Sequence, residues 1–358
     1  IDLIVAARPN FVKAAPIFRE LQALGVYDLN LIHTGQHHDS AMSASFFKHL
    51  NMPEPDFNLH ISGGTHAEQT SRTMLAFEKY ATERKPEWIF VFGDVNATIA
   101  CSMVAKKLSV KIAHVEAGLR SFDMSMPEEI NRVLTDSISD IYFTTCLDAS
   151  ENLLKEGKEK SKIYMVGNTM IDSLVHFAKK IPQLHDTSLR NRGLEKNEYL
   201  LVTLHRPFNV DDWITLKTLL DSLLRISNNR KIVFPVHPRT AKILEKNNLF
   251  LKQTESRLIF TKPLPYLEFL SAMQNAHSVF TDSGGVQEET SFLGIKCYTL
   301  RPNTERPITI SMGTNRLVKQ EELDTLNLSG KSFIKKCDIP FWDGKASYRI
   351  SQEFSKLV

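Results

Sequence analysis

The feature of this sequence that most restricts its fold is the alternation of short, apolar, β-rich runs with longer segments of helical period. In the first half of the chain the predicted strands are 1–6, 29–33, 88–92, 111–115, 141–144 and 163–166. The predicted helices between them are 10–24, 67–80, 97–108 and 128–139. Strands that alternate with helices in this way form parallel sheets covered by helices on both faces.

The same alternation starts again in the second half, where the predicted strands are 199–203, 231–235, 258–260, 278–281 and 296–299. A length of 358 residues also favours two domains, because one domain takes about 150 residues. We therefore expect two Rossmann-like, doubly wound α/β domains that face a cleft, with domain ranges 1–168 and 169–340. The last segment, 341–358, is predicted to be a helix that packs back on the first domain. Ligands of such sheets bind beyond the carboxyl ends of the strands.

Charge and cysteine usage exclude several classes of protein. The 44 Lys and Arg residues against 41 Asp and Glu leave a formal net charge of +3, which gives no reason to expect a nucleic-acid or membrane partner. The opening run IDLIVAARPN is too short for a signal peptide or a membrane helix. The four cysteines lie far apart and form no CxxC pair, which favours thiols in a reducing cytoplasm.

No metal site is expected from the histidines. His37 and His38 are adjacent in GQHHD, and adjacent residues do not share one helix face. The chain also has no HExxH motif.

An anion site is predicted after the first strand. Arg8 and Lys13 flank the start of the next helix, where backbone N–H groups and the helix dipole already favour an anion. The simpler interpretation is that Pro9 starts the helix and Arg8 is solvated. The chain has neither a GxGxxG nor a Walker motif, so nicotinamide and ATP lose their usual support.

Three carboxylates are expected at the same edge of the first sheet. Asp94 and Glu116 follow consecutive predicted strands, and Glu128 lies in the first turn of a predicted helix. Each has an ordinary explanation, since Asp94 can cap a helix, Glu116 can pair with Arg120 and Glu128 suits a helix N-terminus. Together they predict a site that divides acid and base roles, because crowded carboxylates shift one another's pKa values.

The second domain supplies a histidine and a glycine turn. His205 follows the first strand of that domain and is a candidate proton carrier or hydrogen-bond donor to a phosphate. His237 stands in a similar position and is a weaker candidate. In DSGGVQEE, glycines between a strand and a helix let a diphosphate approach the backbone. Glu289, one turn into that helix, is placed to accept hydrogen bonds from a ribose diol, and Arg306 to reach the same phosphates. An ordinary Gly-Gly turn is the alternative.

Taken together, the motifs resemble those of the non-hydrolysing UDP-N-acetylglucosamine 2-epimerases. The resemblance extends from Arg8 to Pro307, and its motifs in chain order are RPNFVK, TGQHHD, FGDVNAT, HVEAGLRS, PEEINR, GNTMID, TLHRP, DSGGVQEE and TERP. It implies the glycosyltransferase-B fold and an isomerase that needs no metal and no cofactor. The implied reaction removes the C2 proton, eliminates UDP to give a 2-acetamidoglucal, and adds UDP back with protonation of the opposite face.

The resemblance also implies roles for single residues. Asp94, Glu116 and Glu128 match the acid/base carboxylates of the family, and His205 matches its active-site histidine. The positions that match its UDP site are Arg8, Lys13, Ser283, Gly284, Gly285, Glu289 and Arg306, with Phe269 near uracil. A homodimer, a cytoplasmic location and a role in polysaccharide biosynthesis are further implications.

The sequence departs from the family pattern at HRPFN, GDVNAT and MGTNRLV, which leaves the exact sugar open. A UDP-2,3-diacetamido sugar or its uronic acid is an alternative substrate. Three alternative functions also remain, namely a UDP-sugar glycosyltransferase of the same fold, a hydrolysing epimerase and a non-catalytic UDP-sugar sensor. Release of free UDP in each turnover would distinguish the hydrolysing epimerase. The intact set of carboxylates argues against the sensor.

Overall fold

The computed structural model of the chain describes residues 1–35, 50, 52–178, 193–249, 257–329 and 337–358. It divides into two compact units, Ile1–His176 with Pro340–Val358 and Phe177–Ile339. The adjacent histidines of GQHHD lie outside the described residues. Among the helices that are described, none has the length and apolarity needed to cross a membrane.

The first unit is built on a parallel sheet. Within the described residues its seven strands are β1 (Asp2–Val5), β2 (Asn30–His33), β3 (Phe57–Asn58), β4 (Trp88–Phe92), β5 (Lys111–Val115), β6 (Ile141–Thr144) and β7 (Ile163–Met165). Their order across the sheet is β3-β2-β1-β4-β5-β6-β7, and every neighbouring pair is parallel. The central strands β1 and β4 are buried along their whole length, as expected of a sheet covered on both faces.

Helices connect these strands. They are α1 (Arg8–Leu24), α2 (His66–Arg84), α3 (Asn96–Lys107), α4 (Pro127–Ile138), α5 (Leu147–Lys155) and α6 (Thr169–Ala178), with a 3₁₀ turn at Lys160–Lys162. Proline stands in the first turn of both α1 and α4, where its missing N–H would be unpaired in any case. On one face of the sheet, α2 and α3 bury Phe77 and Val104 against Ile89 and Ile112.

The second unit repeats this plan. Its six described strands are β8 (Tyr199–Thr203), β9 (Lys231–Pro235), β10 (Leu258–Thr261), β11 (Ser278–Thr281), β12 (Cys297–Thr299) and β13 (Asn315–Leu317), in the order β10-β9-β8-β11-β12-β13 and all parallel. Its helices are α7 (Pro207–Val210), α8 (Trp213–Ile226), α9 (Pro238–Lys246), α10 (Tyr266–Asn275), α11 (Gly284–Leu293) and α12 (Ile308–Ser311), with a 3₁₀ helix at Gln320–Thr325. The two sheets confirm the predicted α/β class.

The last helix, α13 (Ala346–Ser355), belongs to the first unit. The ring of Phe354 meets the rings of Trp88 and Phe90 edge-on, with centroids 5.2 and 4.9 Å away. The buried carboxylate of Asp172 accepts hydrogen bonds from the backbone N–H groups of Ala346 (3.0 Å) and Ser347 (2.6 Å). Residues 169–176 accordingly lie in the first unit, whereas the sequence interpretation began the second domain at 169.

Each sheet reverses its strand order at one point. In the first sheet the reversal lies between β1 and β4, and in the second between β8 and β11. The connections that leave these strands run in opposite directions and open a crevice at their carboxyl ends. The residues that follow these four strands are therefore the ones best placed to bind a ligand.

Candidate active site

A buried ion pair lies at the carboxyl edge of the first sheet. The Lys13 ammonium, from α1, contacts the carboxylate of Glu116, which follows β5. Both side chains are almost fully buried, so the pair is shielded from screening by solvent. Glu116 has a φ of +71°, a left-handed conformation that non-glycine residues rarely adopt and that is enriched at functional sites. Its backbone N–H donates to the carbonyl of Phe143 at 3.0 Å.

Gly93 provides the space for this pair. It follows β4 with a φ of +62°, and a Cβ added to it would lie 3.1 Å from the Lys13 Nζ and 3.4 Å from the Glu116 Oε2. A side chain here would therefore press on both charged groups as well as strain the backbone.

Asp94, the next residue, is held by α4. The Arg132 Nε donates to the Asp94 carboxylate at 2.9 Å, and the Asn131 side-chain amide donates to the Asp94 carbonyl at 2.8 Å. The Asp94 side chain stays 25% exposed while that of Arg132 is buried. The carboxylate is thus fixed in direction and remains open to a ligand.

Glu129 anchors Arg132 from the other side. Its buried carboxylate pairs with the Arg132 guanidinium and accepts the backbone N–H groups of Ser121 (3.0 Å) and Phe122 (2.8 Å). The predicted residue of the PEEINR motif was Glu128, which lies half-buried in the first turn of α4. The sequence analysis missed Glu129 and Arg132, although both belong to that motif. Their roles depend on which face of α4 is buried.

A second buried network supports the turn at Gly93. The His114 ring lies between the Asp136 carboxylate (Nδ1 to Oδ1, 2.7 Å) and the Gly93 carbonyl (Nε2 to O, 2.9 Å). Burial raises the pKa of Asp136, but the charges and hydrogen bonds of His114 and Arg120 outweigh it and leave the pKa below its ordinary value. The two ring nitrogens of His114 thus join the carbonyl of Gly93 to the Asp136 carboxylate, which also pairs with Arg120.

In the second unit the structure joins His205 to Asp282. The His205 Nδ1 lies 2.8 Å from the Asp282 Oδ1, and Asp282 is completely buried. The Asp282 carboxylate also accepts the backbone N–H groups of His205 and Arg206 and the side-chain amide of Asn209. Burial raises the pKa of Asp282, but the hydrogen bond and charge of His205, with the Arg206 and Asn209 donors, bring it below its ordinary value. Asp282 is an ionised acceptor that the sequence analysis quoted within DSGG without assigning it a role.

The glycine turn that follows β11 lies against a charged cluster. Ser283 precedes α11, which begins at Gly284. A Cβ on Gly284 would collide with the guanidinium of Arg306 and lie 2.7 Å from the Glu305 carboxylate. Arg306 pairs with Glu288 (Nε to Oε1, 2.9 Å) and with Glu305. The structure therefore brings Arg306, with its two carboxylate partners, to the N-terminus of α11, where backbone N–H groups favour a phosphate.

Glu289 lies one turn further along α11 and is buried. Burial raises the pKa of its carboxyl to about 8, the neighbouring Glu288 adds to the rise, and a hydrogen bond from the Tyr266 hydroxyl (2.9 Å) opposes it.

Phe269 is half-buried on α10, one turn after Tyr266. Arg8 begins α1. Within the described residues, no group of three His, Cys, Asp or Glu is arranged to hold a metal ion.

Comparison with known proteins identifies close relatives. Residues 19–355 match the family model described as UDP-N-acetylglucosamine 2-epimerase. The UDP-N-acetylglucosamine 2-epimerase of Methanocaldococcus jannaschii is 42% identical over 356 residues, which cover 98% of this chain and 97% of that protein. The UDP-2,3-diacetamido-2,3-dideoxy-D-glucuronate 2-epimerase of Pseudomonas aeruginosa is 39% identical over 361 residues, with 99% of each chain covered.

A solved structure of one of these relatives is also similar to the structure of this chain. The crystal structure of the Methanocaldococcus jannaschii UDP-GlcNAc 2-epimerase in complex with UDP-GlcNAc and UDP superposes with a TM-score of 0.90. Its sequence is 41% identical to this chain, and the match covers 99% of both chains.

Proposed function

This chain belongs to the UDP-N-acetylglucosamine 2-epimerase family, and on that premise we propose that it interconverts UDP-N-acetylglucosamine and UDP-N-acetylmannosamine by eliminating and re-adding UDP. The observation that carries the proposal is the group of charged residues at the switch point of the first sheet, where Lys13 and Glu116 pair beside the Gly93–Asp94 turn. The match to the family model confirms the family that the sequence motifs predicted.

The reaction needs two groups that exchange protons with opposite faces of C2. In the forward direction one base removes the C2 proton, the electron pair forms the C1–C2 double bond, and the C1–O bond to UDP breaks. In the return direction a UDP oxygen attacks C1 and a second group protonates C2 from the other face. We assign these proton transfers to the carboxylates of Asp94, Glu116 and Glu128, because a weakly acidic C–H demands a well-placed base.

The surroundings of Glu116 and Asp94 support this assignment. Lys13 pairs with the buried Glu116 carboxylate and fixes its position, which suits a group that must approach C2 from one direction. Arg132 holds Asp94 in one direction while leaving part of its carboxylate accessible, which suits a group that must meet a substrate at a defined distance.

In the second unit we assign the UDP moiety to the N-terminus of α11. Ser283, Gly284 and Gly285 approach the diphosphate with their backbone, and Arg306 donates hydrogen bonds to it. Glu289 binds the ribose diol. His205 acts beside the diphosphate. Arg8, Lys13 and Phe269 match positions of the family's UDP site, and we propose the same role for them here, with Phe269 near uracil. Holding UDP in place is what separates this isomerase from a hydrolysing enzyme, because UDP must return to the glucal.

The direct test is proton NMR of UDP-N-acetylglucosamine with the enzyme in deuterium oxide. We expect deuterium to appear at C2 together with the manno-configured nucleotide sugar. Free UDP that accumulates once per turnover would instead identify a hydrolysing epimerase, and UDP release that requires an added acceptor would identify a glycosyltransferase. Binding without deuterium uptake would identify a sensor.

Single-residue variants test the assigned roles. Asp94→Asn, Glu116→Gln and Glu128→Gln are each expected to lose turnover while they still bind UDP, because each keeps its shape and loses its charge. Since one acid/base group contributes about 10²- to 10⁴-fold, losses in that range are expected. Full activity in all three variants would exclude the assigned mechanism.

A UDP-2,3-diacetamido sugar is the second candidate substrate. It is favoured by the 39% identity to the Pseudomonas aeruginosa enzyme, which is nearly as high as the identity to the UDP-N-acetylglucosamine enzyme of Methanocaldococcus jannaschii. The same NMR experiment repeated with the diacetamido sugar and with its uronic acid decides between the substrates, and the faster exchange at C2 identifies the preferred one.

We also propose that the enzyme is a cytoplasmic homodimer that supplies activated sugars for polysaccharide biosynthesis. Family membership supports all three statements. Exposed apolar side chains on successive turns of α4, Ile130 and Leu134, are consistent with a covered surface. Sedimentation that shows a monomer at micromolar concentration would exclude the dimer.

A further inference from the structure

We infer that Asp282 is the positioning residue of His205, holding the proton on Nδ1 so that Nε2 alone exchanges a proton with the ligand. This inference deepens the proposed function, since it concerns the histidine assigned there, and it rests on that function only for its kinetic readout.

The geometry of the pair is the first step. The Asp282 Oδ1 lies 2.8 Å from the His205 Nδ1, which is the distance of a charge-assisted hydrogen bond. Asp282 is completely buried, whereas the His205 side chain is 35% exposed. The carboxylate thus lies on the protein side of the ring.

The other partners of Asp282 determine its protonation. Its carboxylate accepts the N–H of His205 (3.0 Å), the N–H of Arg206 (2.9 Å) and the amide of Asn209 (3.1 Å). All of these groups can only donate, so they favour the ionised acid. An ionised carboxylate can only accept, and the His205 Nδ1 must therefore carry a proton. The tautomer of the neutral ring is therefore fixed.

The position of Asp282 in the fold adds a second consequence. The carboxylate spans the switch point of the second sheet, because Asp282 follows β11 and accepts from the turn that follows β8. The next residues, Ser283 and Gly284, begin the helix assigned to the diphosphate. One carboxylate therefore sets the distance between His205 and the glycine turn. A hydrogen bond or proton transfer from His205 to the departing diphosphate depends on this distance.

The neighbouring titratable group is His237, whose ring lies 5.6 Å from the His205 ring. Its Nδ1 accepts the backbone N–H of Arg239 at 3.2 Å. His237 is thus oriented by a hydrogen bond at the start of its own helix, and the contact that it makes with His205 is between the rings.

The test combines kinetics with nitrogen NMR. In Asp282→Asn the amide oxygen remains available to the two backbone donors, and the NH₂ group then faces the His205 Nδ1 and displaces its proton to Nε2. We expect kcat to fall about 10²-fold, as for the loss of one acid/base group, with the dissociation constant of UDP changed less than about 3-fold, a factor that corresponds to under 1 kcal/mol. In the His205→Asn background, Asp282→Asn should cause no further loss, because groups that act as a unit are non-additive.

The matched control is Asp324→Asn. It makes the same change to a carboxylate of the second unit that pairs with Arg225 at the surface, so kcat should stay within about 3-fold, again under 1 kcal/mol in activation free energy. Unchanged kcat in Asp282→Asn, or equal loss in both backgrounds, would refute the inference.

Nitrogen-15 NMR of the histidine-labelled wild-type enzyme keeps the inference testable even if Asp282→Asn fails to fold. A protonated Nδ1 on His205, assigned by its disappearance in His205→Asn, is the expected result. A neutral His205 with its proton on Nε2 would overturn the inference regardless of the reaction that the enzyme catalyses. Absence of epimerase activity in the wild type would overturn the proposed function and leave the NMR result standing.

Discussion

The ammonium of Lys13 and the carboxylate of Glu116 form a buried ion pair between α1 and the end of β5. Lys13 reaches Glu116 across β4, and it does so where the chain passes through Gly93, a residue without a side chain. The pair places a charged base in the interior of the first unit, and each partner makes the burial of the other tolerable.

Removing the ammonium should therefore destabilise the protein. In Lys13→Met the Glu116 carboxylate stays buried without its cation, and breaking a buried pair in this way costs about 3–5 kcal/mol. Urea unfolding measures the loss. The double variant Lys13→Met with Glu116→Gln is expected to recover most of the stability and none of the turnover. A single variant that loses less than about 1 kcal/mol, the range of exposed pairs, would contradict the burial argument.

Substitution at Gly93 should affect the reaction and not only the backbone. Gly93→Ala places a Cβ 3.1 Å from the Lys13 Nζ at a φ of +62°. The matched control is Gly25→Ala, where φ is +67° and nothing lies within 4 Å of the added Cβ. Both variants should lose about 1–2 kcal/mol for the left-handed alanine, but only Gly93→Ala should lose kcat. Equal kcat in the two variants would show that the Lys13–Glu116 pair tolerates the added methyl.

Arg132→Lys should reduce turnover although it keeps the charge. The guanidinium joins the carboxylates of Asp94 and Glu129, and a lysine cannot reproduce that fork. Because a shift of about 1 Å at a reacting group costs about 10²-fold, we expect that loss in kcat with UDP binding retained. Arg225→Lys, at an exposed pair with Asp324, is the control and should leave kcat unchanged. Full activity of Arg132→Lys would show that Asp94 needs no such support.

The raised pKa of Glu289 predicts a pH dependence of stability with a definite sign. Its pKa is about 8 in the folded protein against an ordinary value of 4.5. Between these values the folded state holds a proton that the unfolded state has released, so this residue's contribution to stability is complete below pH 4.5 and is lost as the pH rises towards 8. The slope cannot exceed about 1.4 kcal/mol per pH unit.

The measurement compares the wild type with Glu289→Gln, which cannot ionise. The difference in their unfolding free energies should shift in favour of the variant from pH 5 to pH 8, since the wild type alone loses stability through this carboxyl. Tyr266→Phe removes the hydrogen bond that opposes the shift and should extend the loss to higher pH. A difference that is independent of pH would show that Glu289 is ionised throughout.

The sequence alone determined the layers of the fold, because the signals that specify them are local. Buried parallel strands are short apolar runs, and amphipathic helices show a longer repeat of apolar residues. Both patterns can be recognised without knowing which elements lie next to them. The central strands, such as β4 and β8, begin and end where they were predicted. The strands β3 and β13 were missed, because two exposed residues and three mixed ones carry no such period. Motifs in a fixed order likewise predicted the family.

Only the tertiary structure decided which side chains meet. Sheet order places β1 beside β4 and β8 beside β11, and nothing local in the sequence encodes that order. The contact of Arg132 with Asp94 and that of Asp282 with His205 join residues far apart in the chain. The left-handed backbone of Glu116 likewise has no signal in its residue type. The chain therefore specifies its candidate reactive groups locally, and the burial and pairing that tune them arise only when the strands assemble.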